Sequence, residues 1–301
     1  MWLENLTRKG LVNFSSKQKF IVTNCQYEVI TGSYSYGVST DTSDTDMVGF
    51  CIPPKDFIFP HLAGHIFGFG EQPNRFDQWV QHHIEDKEVK RQYDITIYNI
   101  VKFFQLCAGC NPNMVDCLFV PLRCITHSTS IGNLVRDNRK LFLSKKAYHT
   151  FKGYAFSQMH KMDTKNPEGK RKETVEKYGY DVKFGYHVLR LLDECEQILT
   201  EGDLNLERNR EQLKAVRRGD IPLEDIKKIF SEKELQMEKI YHESTAVPHR
   251  PDMEAIKELL INCLETHYGS LENAITIPSR EEHILRDLSN ILDKYSNGKI
   301  H

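Results

Sequence analysis

The hydrophobic pattern of the chain changes character between its halves. Up to about residue 125, apolar positions fall in short runs broken by Gly, Pro and polar turns; beyond it they recur at helical spacing through long charged stretches. Residues 1 to about 20 read as one helix leading into a first strand, Tyr27-Glu28-Val29-Ile30, which Gly32 breaks. Residues 43–50 pass from polar to apolar and predict a second strand, ended by Pro53-Pro54 because proline cannot continue a ladder. Residues 55–75, with Pro60, Gly64, Gly68, Gly70 and Pro73, read as a loop or irregular insertion. Two further strands, 76–83 and 88–98, are joined by the charged turn Glu85-Asp86-Lys87. A helix over 98–108 follows, and Asn111-Pro112 starts the next, with Asn capping and Pro at the first helical position.

The second half predicts helices over 145–162, from about Tyr178 onward, from Pro222 to about Tyr241 and from Pro251 to about Tyr268. A last helix, to Tyr295, has a capping box of Ser279 and Glu282. Residues 163–174, with the basic cluster Lys170-Arg171-Lys172, read as an exposed connection.

Composition narrows the class. With 40 basic against 42 acidic residues the chain has no global positive field, so any polynucleotide must meet a local patch. No apolar run approaches the ~20 residues that span a bilayer, and the N-terminus lacks a signal-peptide core, so a cytoplasmic protein without a membrane partner is expected. The 8 cysteines are scattered and fit buried free thiols in a reducing compartment. Cys107-x-x-Cys110, with Cys117 and Cys124, resembles zinc-ligand spacing, but Ile97, Ile100, Val101, Phe103, Phe104 and Leu106 recur with Cys107 on one apolar helical face.

The chemistry concentrates between Thr31 and Phe50. A strand feeding Gly32-Ser33 can start a helix whose free N–H groups cradle a phosphate; Gly32 permits close approach and Ser33 adds a hydroxyl. After Gly37 comes Ser43-Asp44-Thr45-Asp46, in which Asp44 and Asp46 share one face of the coming strand. Paired carboxylates beside a phosphate cradle suit Mg²⁺. Alone, Gly-Ser is a turn and Asp-x-Asp a solvated loop; the ordered combination is far more specific.

That combination resembles the nucleotidyltransferase signature of the DNA polymerase beta superfamily, and the chain is similar to the nucleotidyltransferase family associated with RNA repair operons over roughly its first two thirds. The resemblance implies an α+β protein, with a palm domain of residues 1–125 (a small mixed sheet with flanking helices) and a helical domain of 126–301 that closes a nucleotide cleft. It implies two Mg²⁺ ions, for which Mn²⁺ can substitute, on Asp44, Asp46 and a third carboxylate of a neighbouring strand. Asp94 is the candidate, lying with Thr96 on the face opposite Tyr93, Ile95 and Ile97; Glu85, Asp86 and Glu88 are competitors. The Asn-Pro segment, with Asp116, belongs to the family pattern and reads as mainly structural.

Residues 178–192 carry the second resemblance. Phe184, Val188, Leu191, Leu192, Cys195, Ile198 and Leu199 make an apolar face, while Lys183, His187, Arg190 and Glu194 make a second stripe. The family match favours contact of Lys183, His187 and Arg190 with a nucleotide's phosphates, alongside Gly32, Ser33 and Ser43. The expected reaction transfers a nucleoside monophosphate from a nucleoside triphosphate to a hydroxyl, an RNA 3′ end being the implied acceptor, and releases pyrophosphate. The competing reading is a noncatalytic nucleotide- or RNA-binding module on the same fold. The residues leave open which base is selected and whether the acceptor is RNA, a protein hydroxyl or a small molecule.

Overall fold

The computed structural model of the chain describes residues 1–40, 43–59, 76–164, 169–269, 284 and 288. One compact unit comprises Met1–Pro53 and Phe76–Leu264; the other comprises Pro54–Arg75 and Glu265–His301. The expected insertion at 55–75 lies mostly outside the described residues, apart from a short helix at Lys55–Ile58, and so does the expected last helix over 279–295.

The fold of the first unit is mixed α+β. Five strands, β1 (Cys25–Ile30), β2 (Thr45–Cys51), β3 (Gln78–Asp86), β4 (Arg91–Asn99) and β5 (Ile125–Ser128), form one sheet in the order β3-β4-β2-β1-β5. β2 and β4 pair in parallel and every other pair is antiparallel. Alternation sets the faces: Tyr93, Ile95 and Ile97 are buried on one side of β4, Asp94, Thr96 and Tyr98 half-exposed on the other. Tyr27, Phe50 and Phe103 make a fully buried aromatic column on the same face as Asp94, since Phe50 pairs with Tyr98 and Tyr27 with Phe50, with ring centroids 5.8 and 4.9 Å apart. β5 lies past the boundary expected after residue 125, so the sheet draws on both sides of it.

Several boundaries differ from the sequence pattern. The N-terminal segment is not one helix: α1 (Trp2–Arg8) stops before Gly10, and α2 (Phe20–Thr23) is a separate turn. The β3–β4 turn falls at 87–90, so Glu85 and Asp86 pair in the ladder with Gln92 and Arg91. Among its described residues the expected connection over 163–174 is largely helical, since α7 (Lys146–Thr164) runs into it and α8 (Lys170–Tyr178) begins within it.

Asn99 caps α4 (Ile100–Ala108) and Asn111 caps α5 (Pro112–Phe119), each accepting a helix N–H. The helical half is built around α9 (Val182–Glu201), which Asp181 caps; α7, α10 (Arg210–Arg218) and α11 (Leu223–Glu243) all pack on it. With three helices around it, nearly the whole of α9 is buried, and its polar stripe must find partners inside the protein.

All eight cysteines are free and buried. The thiols of Cys107 and Cys110 donate to the carbonyls of Met114 and Phe142, and burial pushes both up from the ordinary thiol range.

One buried carboxylate closes the N-terminal side of the sheet. Glu28 is fully buried on β1, accepts the N–H groups of Trp2 and Leu3 at 2.8 and 2.9 Å, and accepts the Thr126 hydroxyl from β5. It caps the start of α1 from another element, where orphan N–H groups and the helix dipole favour an anion. Glu28→Ala leaves those donors unsatisfied and is expected to cost about 2–4 kcal/mol in urea unfolding. Glu28→Gln, which still accepts but turns an amide N–H toward other donors, is expected to cost less.

Candidate active site

The site begins where β1 ends. Thr31 donates its N–H to the Asp46 carbonyl at 2.8 Å, so the turn after β1 is laced to the start of β2. Gly32 follows at φ +64°, and a Cβ there would meet Asp46 Oδ2 at 2.3 Å. Glycine is required twice at this position, for its left-handed backbone and for the carboxylate held against it. Residues Gly32–Tyr34 form one 3-10 turn. Asp46, the second residue of β2, faces Asp94 of β4 in register across the parallel pair.

A cavity of about 490 Å³ opens on this face of the sheet. Gly32, Ser33, Ser43, Asp44, Asp46 and Asp94 line it together with Lys183 and His187, so the structure brings these expected residues to one place. Lys183 is exposed in the first turn of α9 and His187, one turn on, is half-buried, with its ring 4.2 Å from that of Tyr186. The Ser43 hydroxyl accepts the Thr40 N–H at 2.9 Å and so also shapes the turn before β2.

The carboxylates differ in setting. Burial, above all, pushes the Asp46 carboxyl up from 3.8 to about 6; Lys183 and His82 pull it down, while Asp94 and Asp44 push it up. Asp94 is pinned from its other side, because Oδ1 accepts the His83 N–H at 2.7 Å and lies 3.6 Å from His82 Nδ1. The cause is a bulge in β3. Gln81 pairs with Ile95 and Ile84 with Tyr93, so His82 and His83 together oppose Asp94, with His83 at φ +56°. Nothing in the sequence marks this bulge, which uses neither Gly nor Pro.

Among the described residues no group of three or more His, Cys, Asp or Glu side chains is gathered closely enough to hold a metal ion. The donor set still suits a hard divalent cation: Asp44, Asp46 and Asp94 supply carboxylate oxygens to one cavity, and their mutual repulsion contributes to the raised Asp46 carboxyl.

Arg190 departs from expectation. It is 2% exposed and does not line the cavity. Nη1 bonds Asp116 Oδ2 of α5 and both Glu194 oxygens, at 2.9 and 3.1 Å, and the guanidinium lies 4.5 Å over the Tyr36 ring. Asp116 Oδ2 also accepts the Tyr36 hydroxyl at 2.6 Å. The stripe of Lys183, His187, Arg190 and Glu194 thus starts at the cavity and dives into the core.

Arg190 is absent from the cavity lining, but a cation that the sequence pattern does not reveal is present there. Arg217, on α10, lines the cavity, donates to the Val38 carbonyl at 2.6 Å and lies 5.4 Å over the Tyr186 ring. Its local signal, Arg217-Arg218-Gly219, is that of any helix end, where cations complement the dipole and glycine caps.

A sequence model of the family described as "RNA repair pathway DNA polymerase beta family" matches residues 5–265. The chain is 26% identical over 137 residues to the "uncharacterized 38.9 kDa protein in nrdC-mobD intergenic region" of Enterobacteria phage T4, a match covering 44% of this chain and 37% of that protein. Among solved structures it is similar to a nucleotidyltransferase-like protein from Exiguobacterium sibiricum 255-15, at 10% identity and a TM-score of 0.29, over 88% of this chain and 75% of that one. Among the described residues no helix is long and apolar enough to cross a membrane.

Arg190 and Lys183 should separate in a stability measurement. Arg190→Ala strands two buried carboxylates and is expected to cost about 3–5 kcal/mol in urea unfolding, whereas Lys183→Ala, at an exposed position, should change stability by less than about 0.5 kcal/mol.

The raised Asp46 carboxyl gives a pH-dependent prediction. Because the folded form holds its proton more tightly than the unfolded form, ionised Asp46 costs stability. That cost is absent below about pH 4, grows as pH rises toward 6, and is full above it. Asp46→Asn is therefore expected to stabilise the metal-free protein by about 1–3 kcal/mol at pH 7.5 and by little at pH 4, read by urea unfolding in chelator.

Proposed function

Since the chain belongs to the RNA repair pathway DNA polymerase beta family, we propose that it is a metal-dependent nucleotidyltransferase. It moves a nucleoside monophosphate from a nucleoside triphosphate to a hydroxyl, with pyrophosphate leaving. The observation that carries this reading is the single cavity in which the Gly32-Ser33 turn, the in-register pair Asp46 and Asp94, and the cations Lys183 and Arg217 meet.

The β and γ phosphates lie against the Ser33 hydroxyl and the backbone of the Gly32–Tyr34 turn, beside the Asp46 carboxylate that packs on Gly32. Lys183 and Arg217 face them from the helices and neutralise the charge that grows on the departing pyrophosphate. His187 closes the same wall. Asp94, which accepts the His83 N–H, takes the proton of the acceptor hydroxyl. Asp44, Asp46 and Asp94 would hold divalent ions, Mg²⁺ or in its place Mn²⁺, whose charge supplies Lewis-acid stabilisation of the transferring phosphoryl group and a more acidic acceptor hydroxyl. Arg190 has a positioning part only, through Tyr36 and Asp116. The family's name, which places it in an RNA repair pathway, supports an RNA 3′ hydroxyl as the acceptor.

The test is to incubate the protein with the four triphosphates, Mg²⁺ and RNA oligonucleotides, to follow pyrophosphate release, and to weigh the RNA by mass spectrometry. The expected product is RNA heavier by one or more nucleotide residues. The Asp44→Asn/Asp46→Asn double variant should lose at least about a hundredfold in rate; retention of most of the activity would refute the carboxylate assignment.

A further inference from the structure

The cavity has a far end that the transfer chemistry does not use. Along β4, Tyr98 lies four residues beyond Asp94 on the same face, about 13 Å away at strand rise, and Val48 lies two residues beyond Asp46 on β2. All four line the cavity. It therefore runs from the Gly32-Ser33 turn, past the carboxylates, toward Tyr98 and the start of α5. With phosphates at the first end, this order leaves the far end for the ribose and base of an extended nucleotide.

The far end is built to meet polar edges. Asn111 spends its side chain on the Met114 N–H, so it belongs to the helix start. Asn113, two residues on, is exposed and lines the cavity, and its amide carries no hydrogen bond to any described residue. The Tyr98 hydroxyl is likewise unpartnered among the described residues, and its half-exposed ring supplies a flat face in the same cavity. The Asn-Pro-Asn sequence thus does two things: its first Asn caps α5, and Pro112 then fixes the turn that presents the second.

We propose that this end of the cavity holds the nucleobase and that Asn113 selects adenine, an inference that rests on the nucleotide-site reading above. An amide offers one donor and one acceptor side by side. Adenine matches it on one edge with its N6 amine and N7. On the corresponding edge guanine presents two acceptors, cytosine an amine alone and uracil a carbonyl alone; those bases pair an adjacent donor and acceptor only on other edges, so the selection consists in the base turning its N7 edge to Asn113. Asn113 is then the specificity-determining residue, with Tyr98 as the stacking surface.

Calorimetric titration of the full chain with the non-transferable α,β-methylene analogues of ATP, GTP, CTP and UTP, each with Mg²⁺, tests this without turnover. The adenine analogue is expected to bind at least about tenfold more tightly than the other three. In Asn113→Ala, and in Asn113→Asp, which keeps an acceptor for N6 but loses the donor to N7, that ratio should fall to within about twofold, with the unfolding midpoint unchanged because Asn113 is exposed. Equal binding of all four analogues by the unaltered protein, or a preference that survives in Asn113→Ala, overturns the assignment while leaving the nucleotide site standing. If no analogue binds at all, the nucleotide-site reading itself fails, and this proposal with it.

Discussion

The guanidinium of Arg190 sits, out of reach of water, between two carboxylates on different helices and beneath the ring of a tyrosine from a loop. Much of the site's geometry depends on that arrangement. Tyr36 belongs to the loop that carries Gly32-Ser33, Asp116 to α5, and Arg190 and Glu194 to α9, so one buried cluster fixes the Gly32-Ser33 turn against the sheet's covering helix and the helix that supplies Lys183 and His187. Burial pushes both carboxyls upward, with Arg190 opposing it. Such a cluster adds little net stability over apolar packing, but losing one member is costly. What it contributes here is registration: the Tyr36 hydroxyl has one acceptor, in one place.

Around that anchor the loop is tied down from several directions. Arg123 donates to the Tyr34 carbonyl at 3.2 Å while bonding Glu207 through both nitrogens, and Arg217 holds the Val38 carbonyl. The backbone from 31 to 38 is thereby set by other elements at nearly every second residue, although its own regular structure is a single turn. The flexibility that three glycines and serines at 32, 33 and 35 would otherwise confer is spent on fit, with Gly32 letting the Asp46 carboxylate come within van der Waals range of the backbone. The burial that destabilises the Asp46 charge belongs to the same bargain, in which a functional group is held where solvent alone would not keep it.

How much of this was legible in the sequence depends on the distance over which each feature is decided. Asp44, Asp46 and the Gly-Ser turn lie within twenty residues and announce themselves by local spacing. Asp94 follows from alternation within one strand, and the Asn111 cap from its own tripeptide. Arg190 could not be placed by such means. Its offsets from Lys183 and His187 put it on their stripe, but whether that stripe faces solvent or the core is decided by Asp116, 74 residues away, and by the helices packed on α9. Arg217 was hidden for the opposite reason, since an arginine pair before a C-terminal glycine satisfies purely local needs. The bulge at His82–His83 left no trace because an imidazole-bearing residue, not glycine, takes the left-handed backbone.

The bond from Arg217 to the Val38 carbonyl joins positions 179 residues apart. A chain emerging from the ribosome therefore displays the Gly32-Ser33 turn and all three carboxylates long before the helix that braces the turn has been made. Over that interval β1 must also wait for β5, roughly a hundred residues downstream. Contacts of such separation repay their loop-closure entropy only when the last partner arrives. The sheet and the helical half are thus coupled in time as well as in space: a nascent or truncated chain carries the three carboxylates of the cavity without its walls.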